Sequence, residues 1–173
     1  MMKQFKQFGG RIIDDVQQYV KDYIRENPEV DIYVGSDSLN HRRHTKFVTV
    51  ICFVHPGNGG HIIFQRYSEK KIRAKKEDYD KAKANTKNDK FWKDTLFPRM
   101  WKEVQDSADT ALEILPAVGK RIITVDLDLN PNDRHQSNVA HDAGVGYIKS
   151  LGFKCRTKPE AWAASCAADM LAK

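Results

Sequence analysis

Residues 31–72 read DIYVGSDSLNHRRHTKFVTVICFVHPGNGGHIIFQRYSEKKI, and the fold turns on how this stretch divides. DIYVGSDSL (31–39), KFVTVICFVH (46–55) and GHIIFQRYSEKKI (60–72) are rich in β-branched and aromatic residues, the composition of strands. A polar turn, His41 to Thr45, separates the first two. Pro56-Gly57-Asn58-Gly59-Gly60 separates the last two and is a cluster of breakers. A parallel pair needs a crossover of a dozen or more residues, so these short connections predict an antiparallel meander.

Working outward, Gly9-Gly10 precedes RIIDDVQQYVKDYIREN, where Ile12, Ile13, Val16, Val20 and Ile24 recur at helical spacing. This predicts an N-terminal helix over residues 10–26, ended by Asn27-Pro28. Residues 73–90 carry few apolar side chains and read as an exposed helix or arm. From Phe91 the pattern is helical again, with Trp92, Leu96, Met100, Val104 and Ala108 on one stripe. That helix is expected to reach Leu115 and stop at Pro116. KRIITVDLDLN (120–130) reads as a fourth strand, SNVAHDAGVGYIKSLG (137–152) as a helix closed by Gly152, and FKCRTKP (153–159) as a short fifth strand. Pro159 then opens EAWAASCAADMLAK, with Glu at the first helical position.

After the leading helix the order is β-β-β-α-β-α-β-α. Strands four and five follow helical crossovers and should lie parallel to strand one. The prediction is one α/β domain over residues 1–173, with a mixed five-stranded sheet (three antiparallel strands, then two parallel) flanked by helices. A chain of 173 residues suits a single domain with a substantial core.

No stretch approaches the roughly 18–20 apolar residues that span a bilayer, so no membrane partner is expected. MMKQFKQFGGRIIDD lacks an apolar signal core. Cys52, Cys155 and Cys166 are an odd number without CxxC pairing, which argues against structural zinc or a disulfide framework and predicts a cytoplasmic location. The net charge of +6 and pI near 9.2 lean towards a polyanionic partner. The positive residues concentrate in NHRRHTK (40–46), with Arg42 and Arg43, and in a basic segment over residues 70–93. That distribution predicts binding to the phosphate backbone of RNA or DNA. The acids Glu77, Asp78, Asp80 and Asp89 within the second run leave open that it is a solvated charged face.

Against this basic background, carboxylates sit inside apolar segments. Asp37 ends the first strand in YVGSDS; Glu103 lies in the long helix in RMWKEVQ; Asp126 and Asp128 alternate in IITVDLDLNP (122–131); Asp169 is set among small residues in SCAADML. Carboxylates are rarely buried unless paired or bound to metal. Two of them about 4 Å apart repel by roughly 4 kcal/mol at an effective dielectric near 20. A cluster therefore needs a cation or must hold protons, and oxygen-only ligands point to Mg²⁺ or Mn²⁺. Each residue also has a plainer role: Asp37 or Asp128 in a turn, Glu103 on a solvated face, Asp169 exposed near the end of the last helix.

The combination resembles the ribonuclease H-like superfamily, and more narrowly the YkuK family within it. The resemblance rests on YVGSDS (33–38), FVTVI (47–51), DLNP (128–131), GYIKSLGF (146–153) and KPEAWAASCAAD (158–169), and covers nearly the whole chain from residue 12. It implies that Asp37 is the strand-one metal ligand, Asp128 the strand-four acid, Asp169 the last-helix acid and Glu103 the helix acid, with Glu113 as its alternative. Asp126, two residues back on the same face of the strand, is a further metal candidate, as a residue supporting the Asp128 ligand or as a surface residue. The resemblance further implies two divalent ions that activate a water and stabilise the leaving oxygen of a phosphodiester, hence a metal-dependent nuclease acting on RNA, an RNA–DNA hybrid or structured DNA. The alternative is a non-catalytic nucleic-acid-binding or regulatory module that kept the fold. His41, His44, His135 and His141 are candidates for moving a proton. PGNGGH lacks the ending of a phosphate loop, and Trp92, Trp101 and Trp162 read as core.

Overall fold

The computed structural model describes residues 4–71, 89–132 and 134–173. Most of the basic segment 70–93 therefore lies outside the described residues. The chain opens with two short strands, β1 (Phe5–Gln7) and β2 (Ile12–Ile13), followed by helix α1 (Val16–Glu26). The meander is β3 (Asp31–Asn40), β4 (His44–Val54) and β5 (Gly60–Lys70). Helix α2 (Asp89–Val118) leads to β6 (Ile123–Leu127); a 3₁₀ turn (Gln136–Ala140) and α3 (His141–Ser150) lead to β7 (Lys154–Arg156). A π-helical segment (Ala163–Ala168) runs into α4 (Asp169–Ala172).

The strands form one sheet in the order β2-β1-β5-β4-β3-β6-β7. The β3–β4 and β4–β5 pairs are antiparallel, while β3–β6 and β6–β7 are parallel, as the connection lengths require. Two features depart from the sequence reading at the N-terminus. Ile12 and Ile13 pair with β1 instead of starting the helix, and β1 pairs with β5, so a small hairpin widens the five-stranded core of the sheet to seven strands. The helix begins later because Asp15 is its N-cap, its side chain accepting from the Gln18 amide at 2.9 Å. At the other end of the chain order, α2 runs through Pro98 and Pro116 to Val118 and stops where Gly119 takes φ +65°. Proline at 116 removes a single amide donor near the helix end, whereas the left-handed turn at Gly119 ends the helix outright.

Strand alternation sorts the chemistry. Ile32 and Val34 on β3, and Val125, Leu127 and Leu129 on and after β6, share a core with Val104, Ala108 and Ile114 of α2 and Val20 of α1. The helical stripe Met100, Val104, Ala108 is buried as its spacing predicts. On the opposite face Val48, Val50 and Cys52 of β4 pack against Ala163, Ala167, Ala168 and Ala172. This second layer is thin because it is built from alanine. An ideal Cβ placed on Gly35 would lie 2.5 Å from the Ala164 nitrogen and 2.8 Å from the Ala163 carbonyl carbon, so only glycine lets the C-terminal segment rest on β3. Gly35→Ala must push backbone apart, and overpacking of this kind costs typically about 1–3 kcal/mol; urea unfolding should register a loss at or above that range, with the midpoint lowered.

Candidate active site

The parallel strands β3 and β6 end together on one side of the sheet. β3 pairs with β6 only as far as Ser36–Leu127 and continues to Asn40 paired with β4 on its other edge. Clefts outside the carboxyl ends of parallel strands are where open α/β sheets hold ligands. Asp37 lies one residue beyond the last paired position, and Asp128 one residue beyond the end of β6. Both take the face covered by the C-terminal helix, as does Gly35, which is paired with Asp126. Asp169, the first residue of α4, comes from that helix. Glu103 comes from α2 on the other face, where Ser38 points.

Two of these carboxyls, Asp37 and Glu103, are perturbed by the others. Burial pushes the Asp37 carboxyl up to about 6, and the negative charges of Asp128 and Asp169 push in the same direction. Glu103 is 5 % exposed. Burial raises its carboxyl to about 8, with Asp37 and Asp128 adding repulsion and Arg99 opposing. The Ser38 hydroxyl donates to Glu103 Oε1 at 2.5 Å. Arg99 Nη1 donates to the Ser38 carbonyl at 3.0 Å and its hydroxyl at 2.8 Å, and lies 3.3 Å from Glu103 Oε1. Asp37, Glu103, Asp128 and Asp169 thus form one electrostatic set drawn from β3, α2, the end of β6 and α4.

Two lysines that the sequence reading passed over pair with two of these acids. Lys158 Nζ is 2.9 Å from Asp128 Oδ1. The alignment is not that of a hydrogen bond, so Oδ1, buried, is left without a donor. Lys173 Nζ lies 2.6 Å from Asp169 Oδ2, at the exposed surface. Among the described residues no three His, Cys, Asp or Glu side chains are gathered closely enough to hold a metal ion as they stand. The donor chemistry nevertheless suits a hard divalent cation, because the set is all carboxylate and includes a buried oxygen lacking a donor.

Asp126 belongs to a different construction. It is fully buried, so it is no surface residue. Its two oxygens accept from Arg156 Nε and Nη2, each at 2.7 Å, and Oδ2 also accepts from the Ala163 amide at 2.8 Å. Both oxygens are thereby committed, in the bidentate geometry that Arg makes with a carboxylate. Arg156 also lies over the Tyr33 ring, 4.3 Å from its centre. Glu113 stands ten residues along α2 from Glu103, exposed, near α1, where Gln17 Nε2 donates to its carbonyl at 2.9 Å; it does not share the site.

The histidines scatter. His41 and His44 stack at the β3–β4 turn with ring centres 4.7 Å apart, and His141 Nδ1 lies 2.8 Å from Asp142 Oδ1. Neither contact reaches the four carboxyls. Trp101 is half-buried beside Phe97 and Tyr147, whereas Trp162 is 42 % exposed, because the alanines of its helix take the inner face. The three cysteines are free, and among the described residues no helix is long and apolar enough to cross a membrane.

Loss of the buried acid at 126 strands a guanidinium and an amide donor, and breaking such a pair costs about 3–5 kcal/mol. Asp126→Ala should lower the urea-unfolding free energy by that order, while Asp128→Asn changes it little. The raised carboxyls fix a pH effect of definite sign. Native Glu103 keeps its proton to about pH 8, while an unfolded glutamate releases it near 4.5. Across that window the unfolded chain binds fewer protons, so this group costs stability as pH rises. Glu103→Gln should therefore gain thermal midpoint relative to the wild type between those pH values, compared at each pH by circular dichroism; a gain confined to acid pH would contradict the buried-carboxyl account.

A family model described as ribonuclease H-like matches residues 11–173. No curated protein and no solved structure gives a significant match.

Proposed function

The chain belongs to the ribonuclease H-like family, and from that premise we propose that it is a Mg²⁺- or Mn²⁺-dependent nuclease that hydrolyses phosphodiester bonds. The observation that carries the reading is the effect of neighbouring acids on two buried carboxyls: Asp128 and Asp169 act on Asp37, and Asp37 and Asp128 act on Glu103. Structural carboxylates are satisfied as Asp126 is. These are not: one holds its proton to about 8, another to about 6, and a third has a buried oxygen without a donor. Such a set is short of positive charge.

Asp37, Asp128 and Asp169 would hold the ions, with Glu103 contributing from the α2 side once its proton is lost. Bound divalent ions supply Lewis acidity and a water made acidic near neutral pH. The chain's own residues do the rest. Lys158 and Lys173, paired with Asp128 and Asp169 here, would then be available to a phosphate. Arg99 and the Ser38 hydroxyl hold the Glu103 carboxyl in place. The basic segment 70–93, with Arg42 and Arg43, would carry the nucleic-acid backbone, RNA or DNA. The finer resemblance to the YkuK family, carried by DLNP and KPEAWAASCAAD, supports Asp128 over Asp126 as the ligand.

The second reading, a nucleic-acid-binding module without catalysis, draws on the lysine pairs at Asp128 and Asp169, which neutralise two of the acids without metal. One experiment separates the readings. Calorimetric titration with Mn²⁺ should give saturable heat that Asp128→Asn removes and Asp126→Asn retains in any variant that stays folded. Cleavage of a panel of labelled RNA, hybrid and structured DNA substrates should require Mn²⁺ or Mg²⁺. It should fall in Asp37→Asn and Asp128→Asn by more than the roughly 10–100-fold typical of losing an outer-shell partner. Nucleic-acid binding without Mn²⁺ heat or cleavage would establish the module instead.

A further inference from the structure

At the end of the sheet remote from the carboxyls, two tyrosines of α1 meet two histidines. Asp31 at the start of β3 pairs with Val54 of β4, so His55 and the start of β5 lie opposite the end at which Asp37 emerges. Tyr19 and Tyr23 stand four residues apart and so share one face of α1. The Tyr19 hydroxyl lies 2.7 Å from His61 Nε2, and the Tyr23 hydroxyl 3.0 Å from His55 Nε2. The Tyr23 ring stacks on His61 with centres 5.0 Å apart and covers Phe53 at 4.4 Å.

These hydrogen bonds have a direction. Gln7 Nε2 donates to the Tyr19 hydroxyl at 2.9 Å, so that hydroxyl sends its own proton to His61 Nε2. The network thereby assigns His61 to the neutral tautomer with its proton on Nδ1. Burial raises both phenols above their usual range, which keeps the hydroxyls as donors. Protonation of an imidazole turns its Nε2 from acceptor into donor, against a hydroxyl arranged to donate.

The surroundings offer such a charge little. The groups that face the two rings are Tyr19 and Tyr23 from α1, Gln7 from β1 and each other from the β4–β5 hairpin, with Arg11, a cation, close to Tyr19. The carboxylates on that side of α1 are engaged, Asp15 in capping the helix and Asp22 with Arg25 at 2.9 Å. Among the described residues neither histidine is ion-paired with a carboxylate. The Tyr23 face attracts an imidazolium; burial first and His55 second act against it and hold His61 below the usual imidazole range. A native value below the unfolded one means that the opened chain binds the proton more readily. The contact therefore weakens as pH falls through the imidazole range.

We propose that the Tyr19–His61 and Tyr23–His55 pairs form an acid-sensitive joint, in which protonation of the imidazoles releases α1 from the β4–β5 hairpin and uncovers Phe53. The joint needs neither metal nor nucleic acid and stands apart from the nuclease reading.

Amide hydrogen–deuterium exchange on the wild-type chain, resolved by peptide and corrected for the intrinsic pH dependence of exchange, tests it. From about pH 7.5 to about pH 5.5, which spans the imidazole range, protection of residues 19–26 and 53–61 should fall several-fold. His61→Gln keeps an uncharged acceptor and should abolish most of that fall. Long-range ¹H–¹⁵N NMR should find His61 Nε2 unprotonated at neutral pH and titrating below an ordinary histidine. Tyr19→Phe removes a donor that favours the neutral ring and should move that midpoint upward. The Glu103 effect has the opposite sign over this range and resides in α2, so peptide resolution separates the two. Protection of both segments that does not change with pH overturns the joint. So does a His61→Gln chain that opens in acid as the wild type does, or a His61 that titrates at or above the ordinary value. Should His61→Gln fail to fold, the wild-type exchange and titration decide alone.

Discussion

A fully buried carboxylate with three donors organises this molecule. Asp126 takes two hydrogen bonds from Arg156 and one from the Ala163 amide, and Arg156 lies over Tyr33. A single side chain so ties β6 to β7, to β3 and to the start of the C-terminal helical segment. An ionised carboxylate is costly to bury alone, and the bidentate arginine with a backbone amide offsets that cost only in this geometry. The knot therefore specifies where the last helix begins. With Gly35 beneath Ala163 and Ala164, it sets how close that helix lies to the sheet, and so where Asp169 emerges.

The neighbouring acids follow the opposite rule. Two residues further along the same strand direction, Asp128 passes the end of β6, where neither a strand partner nor an arginine fork is available. Its closest cation is the flexible Lys158. Asp37, Glu103 and Asp169 arrive at the same end of the sheet from elements whose own packing is apolar. The sheet thus holds one carboxylate saturated by an arginine fork and a backbone amide and, past the end of β6, one whose cation partner is a lysine.

The meander, the parallel return of β6 and β7 and the stripe Met100, Val104, Ala108 were legible because each rests on local pattern or on connection length. So was the alternation of IITVDLDLNP, with Val125, Leu127 and Leu129 inward and both aspartates on the other face. The N-terminal hairpin was not legible. Ile12 and Ile13 fit a helical stripe as well as a strand pair, and only the edge of β5 decides between them. Helix α2 likewise outran Pro116, since a proline near a helix end removes one bond and the core beneath Ile114 and Val118 holds the turn. Lys158, Lys173 and Arg99 were missed because a surface-type cation in a sequence gives no sign of the acid it will meet.

By itself the sequence determined the strand and helix pattern, the mixed sheet and the roster of carboxylates that could matter, because these follow from periodicity, chain reach and the cost of charge in apolar segments. Tertiary structure decided which carboxylates belong together. Asp126 and Asp128 are equivalent by spacing, and their fates diverge only because Arg156 and the Ala163 amide, some 30 and 37 residues away along the chain, converge on the first and stop short of the second. Charge compensation is a property of positions in space, and a strand's alternation carries no information about it.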